Sequence, residues 1–119
     1  MQMMMAFFET EAEFSARTDP ERSPAYWGAW MAYMDALRAA GVILGGNPLH
    51  PPATASTLRR RGGTRQVQDG PFADSKEQLA GYVILEVPDL DVALAWAERA
   101  PCAVTGAVEL RPVLTCPGS

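Results

Sequence analysis

The chain has 119 residues, 48% of them hydrophobic, so it is long enough for one domain and too short for separate cofactor and substrate domains. Fourteen acidic against ten basic residues give a net charge of −4, which disfavours a nucleic-acid partner because phosphate contacts need basic side chains. The two cysteines, Cys102 and Cys116, lack metal-ligand spacing and are too few for a disulfide scaffold. Free thiols and a cytoplasmic location are therefore expected.

The N-terminal segment predicts a buried strand followed by a polar loop. Residues 1–8 are apolar, but acidic residues follow at once and no basic residue precedes them, which is typical of neither a signal peptide nor a membrane span. Residues 1–9 are too short for a good helix and suit both faces of a central strand. Residues 9–22 mix acidic residues, Thr and Pro, and predict a long loop with room for one helical turn.

The first long helix has clear boundary signals. Ser23 is the expected N-cap, Pro24 suits the first helical position, and Gly41 stands where a left-handed residue ends a helix. Apolar side chains recur between them at steps of three and four residues. They are Trp27, Trp30, Met31, Met34 and Leu37. One face of this helix must therefore contact an apolar surface.

The middle of the chain predicts a short strand and a hairpin. Residues 42–44 form the strand, and Gly45-Gly46-Asn47-Pro48 is expected to break regular structure. Residues 54–60 and 64–69 flank Gly62-Gly63, a dipeptide that favours a tight hairpin turn.

The second half predicts a short helix, a strand, a helix and a final strand. Ser75 and Gln78 match a capping pattern, which favours a short helix ending near Ala80. Residues 81–87 are nearly continuously apolar, as in a central strand. Pro88-Asp89 introduces the next helix, whose inward face is expected to hold Leu90, Leu94 and Ala97, with Ala93 beside them. A strand over residues 107–111 follows, and residues 1–114 are expected to form one domain, with a loose tail over 115–119.

This order of elements predicts an α+β fold, a ferredoxin-like split βαβ sandwich with an inserted β-hairpin. The helices cover one face of the sheet. The other face needs cover that one subunit does not contain.

One stretch resembles a known family. Residues 69–72 read Asp-Gly-Pro-Phe and continue Ala-Asp-Ser-Lys-Glu-Gln-Leu-Ala-Gly-Tyr through Tyr82, which resembles the DGPF group of YCII-related proteins. Four further segments fit the same family. They are Leu37-Arg38-Ala39-Ala40-Gly41-Val42, Pro51-Pro52-Ala53-Thr54, Val87-Pro88-Asp89-Leu90-Asp91 and Val108-Glu109-Leu110-Arg111-Pro112. The resemblance covers nearly the whole chain.

The resemblance implies a homodimer that forms a dimeric α/β-barrel, in which two ferredoxin-like sheets pack face to face and so cover the exposed sheet face. Related YCII-like proteins include a dehydrochlorinase, the shared barrel occurs in lactone isomerases and monooxygenases, and some DGPF proteins are associated with extracytoplasmic-function sigma factors. Two features depart from the family. Gly46-Asn47 stands where members commonly have Gly-Glu, and the His–Asp pair after the first strand has no counterpart, since His50 follows the first long helix.

Five residues are candidates for a site. Asp69 is a candidate general base, although Asp before Gly more often stabilises its own turn. His50 is a candidate proton-transfer residue, although a lone histidine between Leu and Pro is more often a packed or surface residue. Tyr26, Asn47 and Phe72 are candidate ligand-binding residues, and tyrosine at helical spacing is more often core.

Two functions remain open at this point, and whether the protein is an enzyme is open with them. The first is binding of a small organic molecule in a cleft between the sheet and the loop over residues 9–22, with acid/base chemistry of the lyase or isomerase type. The second is a non-catalytic interaction or regulatory module beside a sigma factor. No clustered metal ligands or phosphate-binding loop are visible, so no metal or cofactor is expected. Arg59, Arg60, Arg61 and Arg65 concentrate basic charge near the hairpin tip, which is read either as a docking site for an acidic surface or as a solvated tip.

Overall fold

A computed structural model describes residues 1–116. Its strands and α-helices are, in chain order, β1 (Gln2–Glu9), α1 (Glu11–Ala16), α2 (Ser23–Ala39), β2 (Ile43–Pro48), β3 (Ser56–Arg61), β4 (Thr64–Asp69), β5 (Gln78–Glu86), α3 (Leu90–Glu98) and β6 (Ala107–Pro112). Short 3₁₀ turns cover Pro52–Thr54 and Pro101–Ala103. Of the predicted tail over residues 115–119, the last three residues lie outside the described part.

Four strands form one antiparallel sheet in the order β2-β5-β1-β6. This order places two central strands from distant parts of the chain side by side, which is the ferredoxin-like arrangement. The predicted α+β, ferredoxin-like fold is confirmed. Alternate side chains of β1 point towards the helices, because successive residues of a strand face opposite sides. Met3, Met5 and Phe7 are accordingly buried in the core with Leu37, Val83 and Leu85.

The second strand is longer than predicted. Residues 45–48 continue β2 and pair with β5, with a register shift between Ile43 and Gly45, so the expected break at this point is wrong. Gly46 allows β2 and β5 to approach closely, because a Cβ at this position would lie 2.4 Å from the Tyr82 carbonyl oxygen. The sequence Gly45-Gly46-Asn47-Pro48 therefore belongs to the sheet edge.

Two helix boundary predictions are also wrong. Ser23 is the first residue of α2, and Arg22 is the N-cap without a side-chain hydrogen bond. The chain before it is held instead by the Asp19 carboxylate, which accepts hydrogen bonds from the backbone N–H groups of Glu21 and Arg22. Ser75 starts no helix: the Gln78 side chain donates to the Ser75 carbonyl at 2.9 Å and closes a turn, and Gln78 already begins β5.

The inward face of α3 differs from the prediction as well. Asp89 caps the helix by accepting from the Val92 N–H at 2.9 Å. Ala93 and Ala97 are buried as expected, whereas Leu90 and Leu94 are each 50% exposed. Small alanines on the inner side let α3 lie close to the sheet, and the two leucines consequently face outward.

The face of the sheet opposite the helices carries apolar side chains. Strand alternation places Met4 and Phe8 of β1 on this face with Tyr82 and Ile84 of β5, and all four are partly buried. A second subunit on this face stays a prediction. Among residues 1–116, no helix combines the length and the apolar character needed to span a bilayer.

The predicted hairpin is confirmed, with β3 and β4 forming a separate two-stranded sheet. We call residues 56–69 the arm. Every residue of β4 is exposed. The described chain is flat and extended, with dimensions of 49 × 48 × 19 Å. Its radius of gyration is 16.2 Å, against about 13.5 Å for a compact chain of this length. The arm therefore projects from the body of the domain.

Candidate functional site

A cavity of about 360 Å³ lies between α2 and the edge of the sheet formed by β2 and β5. Its volume falls within the range of small-molecule sites. Aromatic and methionine residues form a large part of its lining. They are Phe7, Tyr26, Trp27, Trp30, Met31, Met34 and Tyr82. Phe7 and Trp30 meet edge to face with ring centroids 4.8 Å apart, which gives the cavity an aromatic wall.

Glu9 is the charged residue most deeply buried at this cavity, and its side chain is fully inaccessible to solvent. It is the last residue of β1 and shares the inward-facing parity of Met3, Met5 and Phe7. The strand therefore directs its carboxylate into the domain. A buried carboxylate is unfavourable unless it is paired and hydrogen-bonded.

Two side chains satisfy the Glu9 carboxylate. The Arg17 guanidinium donates from Nη2 to Glu9 Oε1 at 3.0 Å, and this ion pair is almost completely buried. The Tyr26 hydroxyl lies 2.6 Å from Oε1 and 2.7 Å from Oε2. Arg17 Nε also donates to the Tyr26 hydroxyl at 2.9 Å, so the three side chains form one connected network.

Local structure fixes Arg17 in this network. Thr10 and Glu13 form a reciprocal capping box that starts α1, and Arg17 follows at the end of that helix. Its guanidinium also donates to the Ala80 carbonyl at 3.1 Å and to the Leu49 carbonyl. The backbone carbonyl of Arg17 accepts from Trp27 Nε1 at 3.1 Å. Arg17 therefore ties β1, α1, α2 and β5 together at one end of the cavity.

The electrostatics of the network keep Tyr26 as a neutral hydrogen-bond donor. Burial raises the pKa of Tyr26 well above its usual value of 10.0, and its hydrogen bond to Glu9 raises it further. The hydroxyl has one proton to share between two carboxylate oxygens. Glu9 consequently keeps the capacity to accept a proton that reaches it through the Tyr26 hydroxyl.

The structure brings two of the predicted site residues to this cavity. Tyr26 and Asn47 both line it, and Asn47 Nδ2 donates to the Tyr82 hydroxyl at 3.1 Å. Asn47 is placed there by β2, the strand that the sequence did not predict at this point.

The other three predicted residues are not among those that line the cavity. Asp69 is exposed at the end of β4. His50 is exposed after β2, and Phe72 is 76% exposed beneath the Arg59 guanidinium, which lies 5.3 Å from its ring centroid. Within residues 1–116 the Asp69 side chain makes no hydrogen bond to its turn, where the Gly70 N–H donates to the Ala55 carbonyl at 2.7 Å. The turn-stabilising role of Asp69 stays a prediction.

Sequence reasoning missed Glu9 and Arg17 as site residues. The available signal was parity, since Glu9 continues the inward-facing series of β1 and so had to be buried with a partner. The sequence does not identify that partner, because Arg17 meets Glu9 only after α1 turns the chain back. Within residues 1–116, no group of three or more His, Cys, Asp or Glu side chains is arranged to hold a metal ion.

Comparison with known proteins supports the fold and the family. A solved structure of 5-chloro-2-hydroxyhydroquinone dehydrochlorinase (TftG) from Burkholderia phenoliruptrix AC1100, in complex with 2,5-dihydroxybenzoquinone, superposes with a TM-score of 0.55 at 18% identity, covering 96% of this chain and 94% of that one. At this identity the likeness concerns the fold.

Sequence comparison adds a relative and a family. The uncharacterized protein R00369 of Rhizobium meliloti (strain 1021) is 43% identical over 67 residues, a match that spans 55% of this chain and about half, 54%, of that protein. The model of the YCII-related domain matches residues 1–116. The chain therefore belongs to the family of YCII-related domain proteins.

Proposed function

We propose that this protein binds a small hydroxylated aromatic molecule in the cavity beside α2 and that Glu9 takes a proton from it, in chemistry of the lyase or isomerase type. One observation carries the proposal: a fully buried carboxylate, held by Arg17 and Tyr26, on the wall of an aromatic cavity. Buried and specifically hydrogen-bonded ionisable groups in cavities are characteristic of functional sites.

The cavity lining indicates the class of ligand. Trp27, Trp30 and Met31 offer flat and polarisable surfaces that suit an aromatic ring. The positive charge of Arg17 is already balanced by Glu9, so the inner end of the cavity has no spare cation for a carboxylate ligand. A neutral phenol or enol is favoured over an aromatic acid of the same size.

The network of Glu9, Tyr26 and Arg17 can support a proton transfer in which protons and charge balance. A proton of the ligand passes to the Tyr26 hydroxyl oxygen while the Tyr26 proton passes to Glu9 Oε2, and the ligand gains the negative charge. Tyr26 stays neutral, and its hydroxyl then donates to the new oxyanion and stabilises it. Return of the proton to a different carbon completes an isomerisation, and departure of a leaving group completes an elimination.

The structural neighbour is consistent with this ligand class. TftG is a dehydrochlorinase and its complex holds 2,5-dihydroxybenzoquinone, a small hydroxylated ring compound. Because the identity is 18%, the correspondence extends to this chain only as part of the proposal.

The proposal includes a cytoplasmic homodimer. Met4, Phe8, Tyr82 and Ile84 lie on the sheet face that the helices do not cover, and a second copy on this face would remove their apolar surface from water. Cys102 and Cys116 are free, which suits a reducing compartment. Light scattering across a dilution series should give twice the mass of the chain.

The proposed site is tested by ligand-induced thermal stabilisation. Catechol and hydroquinone, which are neutral, should raise the melting temperature, since a ligand selective for the folded state stabilises it, whereas anionic benzoate should have little effect. Glu9→Gln keeps the shape of the side chain but removes its charge, so the affinity for the hydroxylated ligands should fall at least about tenfold.

The matched control is Glu11→Gln, the same change at an exposed residue of α1, which should leave affinity unchanged. Equal affinity of the Glu9→Gln protein and the unaltered protein would contradict a role for Glu9. No stabilisation by any hydroxylated aromatic would favour the non-catalytic interaction module instead.

A further inference from the structure

The outer side of α3 carries apolar residues that contribute nothing to the core. Leu90 and Leu94 are one helical turn apart and each is 50% exposed. Asp91 and Glu98 lie within the same turns and flank the leucines with negative charge. We call these four residues the helix patch.

One side of the arm has the complementary composition. In the register of β3 and β4, Leu58 is paired with Val67 and Arg60 with Arg65, so all four side chains lie on one face of the arm. Leu58 and Val67 are each 55% exposed. We call these four residues the arm face.

The arm is poorly supported within its own chain. A two-stranded hairpin is marginally stable by itself in water, and arginines placed directly opposite each other repel. Hydrogen bonds of Ala55 and Thr57 to Gly70 hold the arm at its base. Because the arm projects and its arm face is both apolar and basic, we expect the arm face to contact a surface outside the subunit.

The arm and the rest of the chain carry net charges of opposite sign. Residues 56–69 hold four of the ten basic and one of the fourteen acidic residues, so the arm has a net charge of +3 and the remaining sequence −7. Within residues 1–116, neither the arginines of the arm face nor the acidic residues of the helix patch form an ion pair.

We propose that the arm face of one copy of this chain packs on the helix patch of a second copy, in a contact distinct from the one proposed across the sheet face that the helices do not cover. The two leucines of the helix patch would cover Leu58 and Val67, while Arg60 and Arg65 pair with Asp91 and Glu98. In a pair of copies related by a two-fold axis the contact forms twice. This surface is separate from the proposed ligand site, because neither patch contains a residue that lines the cavity.

The test is a charge exchange measured as the dissociation constant between copies by analytical ultracentrifugation. Reversing the arm with Arg60→Glu and Arg65→Glu, or the helix with Asp91→Lys and Glu98→Lys, should weaken association about tenfold or more. Combining all four substitutions in one chain should restore most of the association, because the charges are again opposite. Arg59→Glu with Arg61→Glu is the matched control, since the same charge change falls on the other face of the arm and should have a smaller effect.

A second pair of variants avoids charge reversal in α3. Leu58→Ser with Val67→Ser should weaken association while the melting temperature of the domain stays nearly constant. Affinity for catechol should be unchanged in every arm variant, so loss of ligand binding and loss of association report separately on the two proposals.

Three outcomes would overturn the contact between arm and helix. The unaltered chain could remain a single copy at every concentration, the arm variants could leave the dissociation constant unchanged, or the fourfold variant could associate as weakly as the two reversals added together. Binding of a DNA oligonucleotide that the arm reversal abolishes without changing association would overturn it as well, because the arginines would then serve phosphate contacts.

Discussion

The network around Glu9 and the arm use charged residues in opposite ways. Glu9 and Arg17 are buried and pair within the subunit at 3.0 Å. Arg60 and Arg65 are exposed, face each other across the arm and pair with no acidic group within residues 1–116. A charge buried with its partner affects the stability of the subunit, whereas an exposed one affects what the subunit contacts.

The residues that identify the family are not the residues that give the cavity its chemistry. The motif that identifies the family, Asp69-Gly70-Pro71-Phe72, lies at the base of the arm, and none of its residues lines the cavity. The residues that give the cavity its chemistry carry no motif. A family resemblance therefore established the fold here more firmly than the site.

Removing the cation from the buried network is expected to have the largest effect on stability. Arg17→Met would leave the Glu9 carboxylate buried without its ion-pair partner, which should lower the free energy of unfolding by about 3–5 kcal/mol. Urea denaturation measures this change. Arg59→Met removes a guanidinium from the arm, where it contacts Gln68 and Phe72, and should cost less than about 1 kcal/mol. Equal decreases in the free energy of unfolding for the two variants would contradict the proposed difference between the Glu9 network and the arm.

Alkaline pH should destabilise the body of the domain through its buried protonated groups. Burial raises the pKa of the Cys102 thiol from 9.0 to about 12. Burial likewise raises the pKa values of Tyr26 and Tyr33 above 10.0. The unfolded chain therefore releases these protons at lower pH than the folded chain, so the free energy of unfolding falls as pH rises above about 9 and is fully retained below that value.

Urea midpoints measured from about pH 8 to about pH 11 test this dependence. Cys102→Ala removes the group that starts to titrate first in the unfolded chain, so the decline should begin about one unit higher. An unchanged pH profile in that variant would show that the thiol does not contribute.

The sequence predicted the elements whose signals are local. Apolar segments placed the central strands, the Gly62-Gly63 turn placed the hairpin, and Pro88-Asp89 placed the start of α3. Sequence reasoning failed where contacts with a distant segment of the chain determine the local structure. Gly46 continues a strand because β5 approaches closely, and Leu90 and Leu94 face outward because alanines pack against the body. The pairing of Glu9 with Arg17 depends on the same long-range geometry, and no spacing rule predicts it.

Loss of the Tyr26 hydroxyl should have an intermediate effect. Tyr26→Phe leaves Glu9 buried with Arg17 as its remaining side-chain donor, which should cost about 1–3 kcal/mol, since hydrogen bonds to charged groups are stronger than neutral ones. Tyr82→Phe removes a hydroxyl whose hydrogen-bond donor within residues 1–116 is the exposed Asn47 side chain, and should cost less than about 1 kcal/mol. Urea midpoints measure both changes. Equal decreases in the two variants would contradict the stabilising role of the Tyr26 hydroxyl in the Glu9 network.

The smallest effect is expected at Asp69 of the family motif, whereas its neighbour Gly70 should respond more strongly. Gly70 has a φ of 103°, a conformation that L-residues with side chains rarely adopt, so Gly70→Ala should cost about 1–3 kcal/mol although space for the methyl group is open. Asp69→Ala should change stability by less than about 0.5 kcal/mol, because the exposed carboxylate makes no hydrogen bond to its turn within residues 1–116. Asp69→Asn should match it. A loss near 1 kcal/mol in Asp69→Ala that Asn recovers would instead show that the carboxylate stabilises the turn in solution.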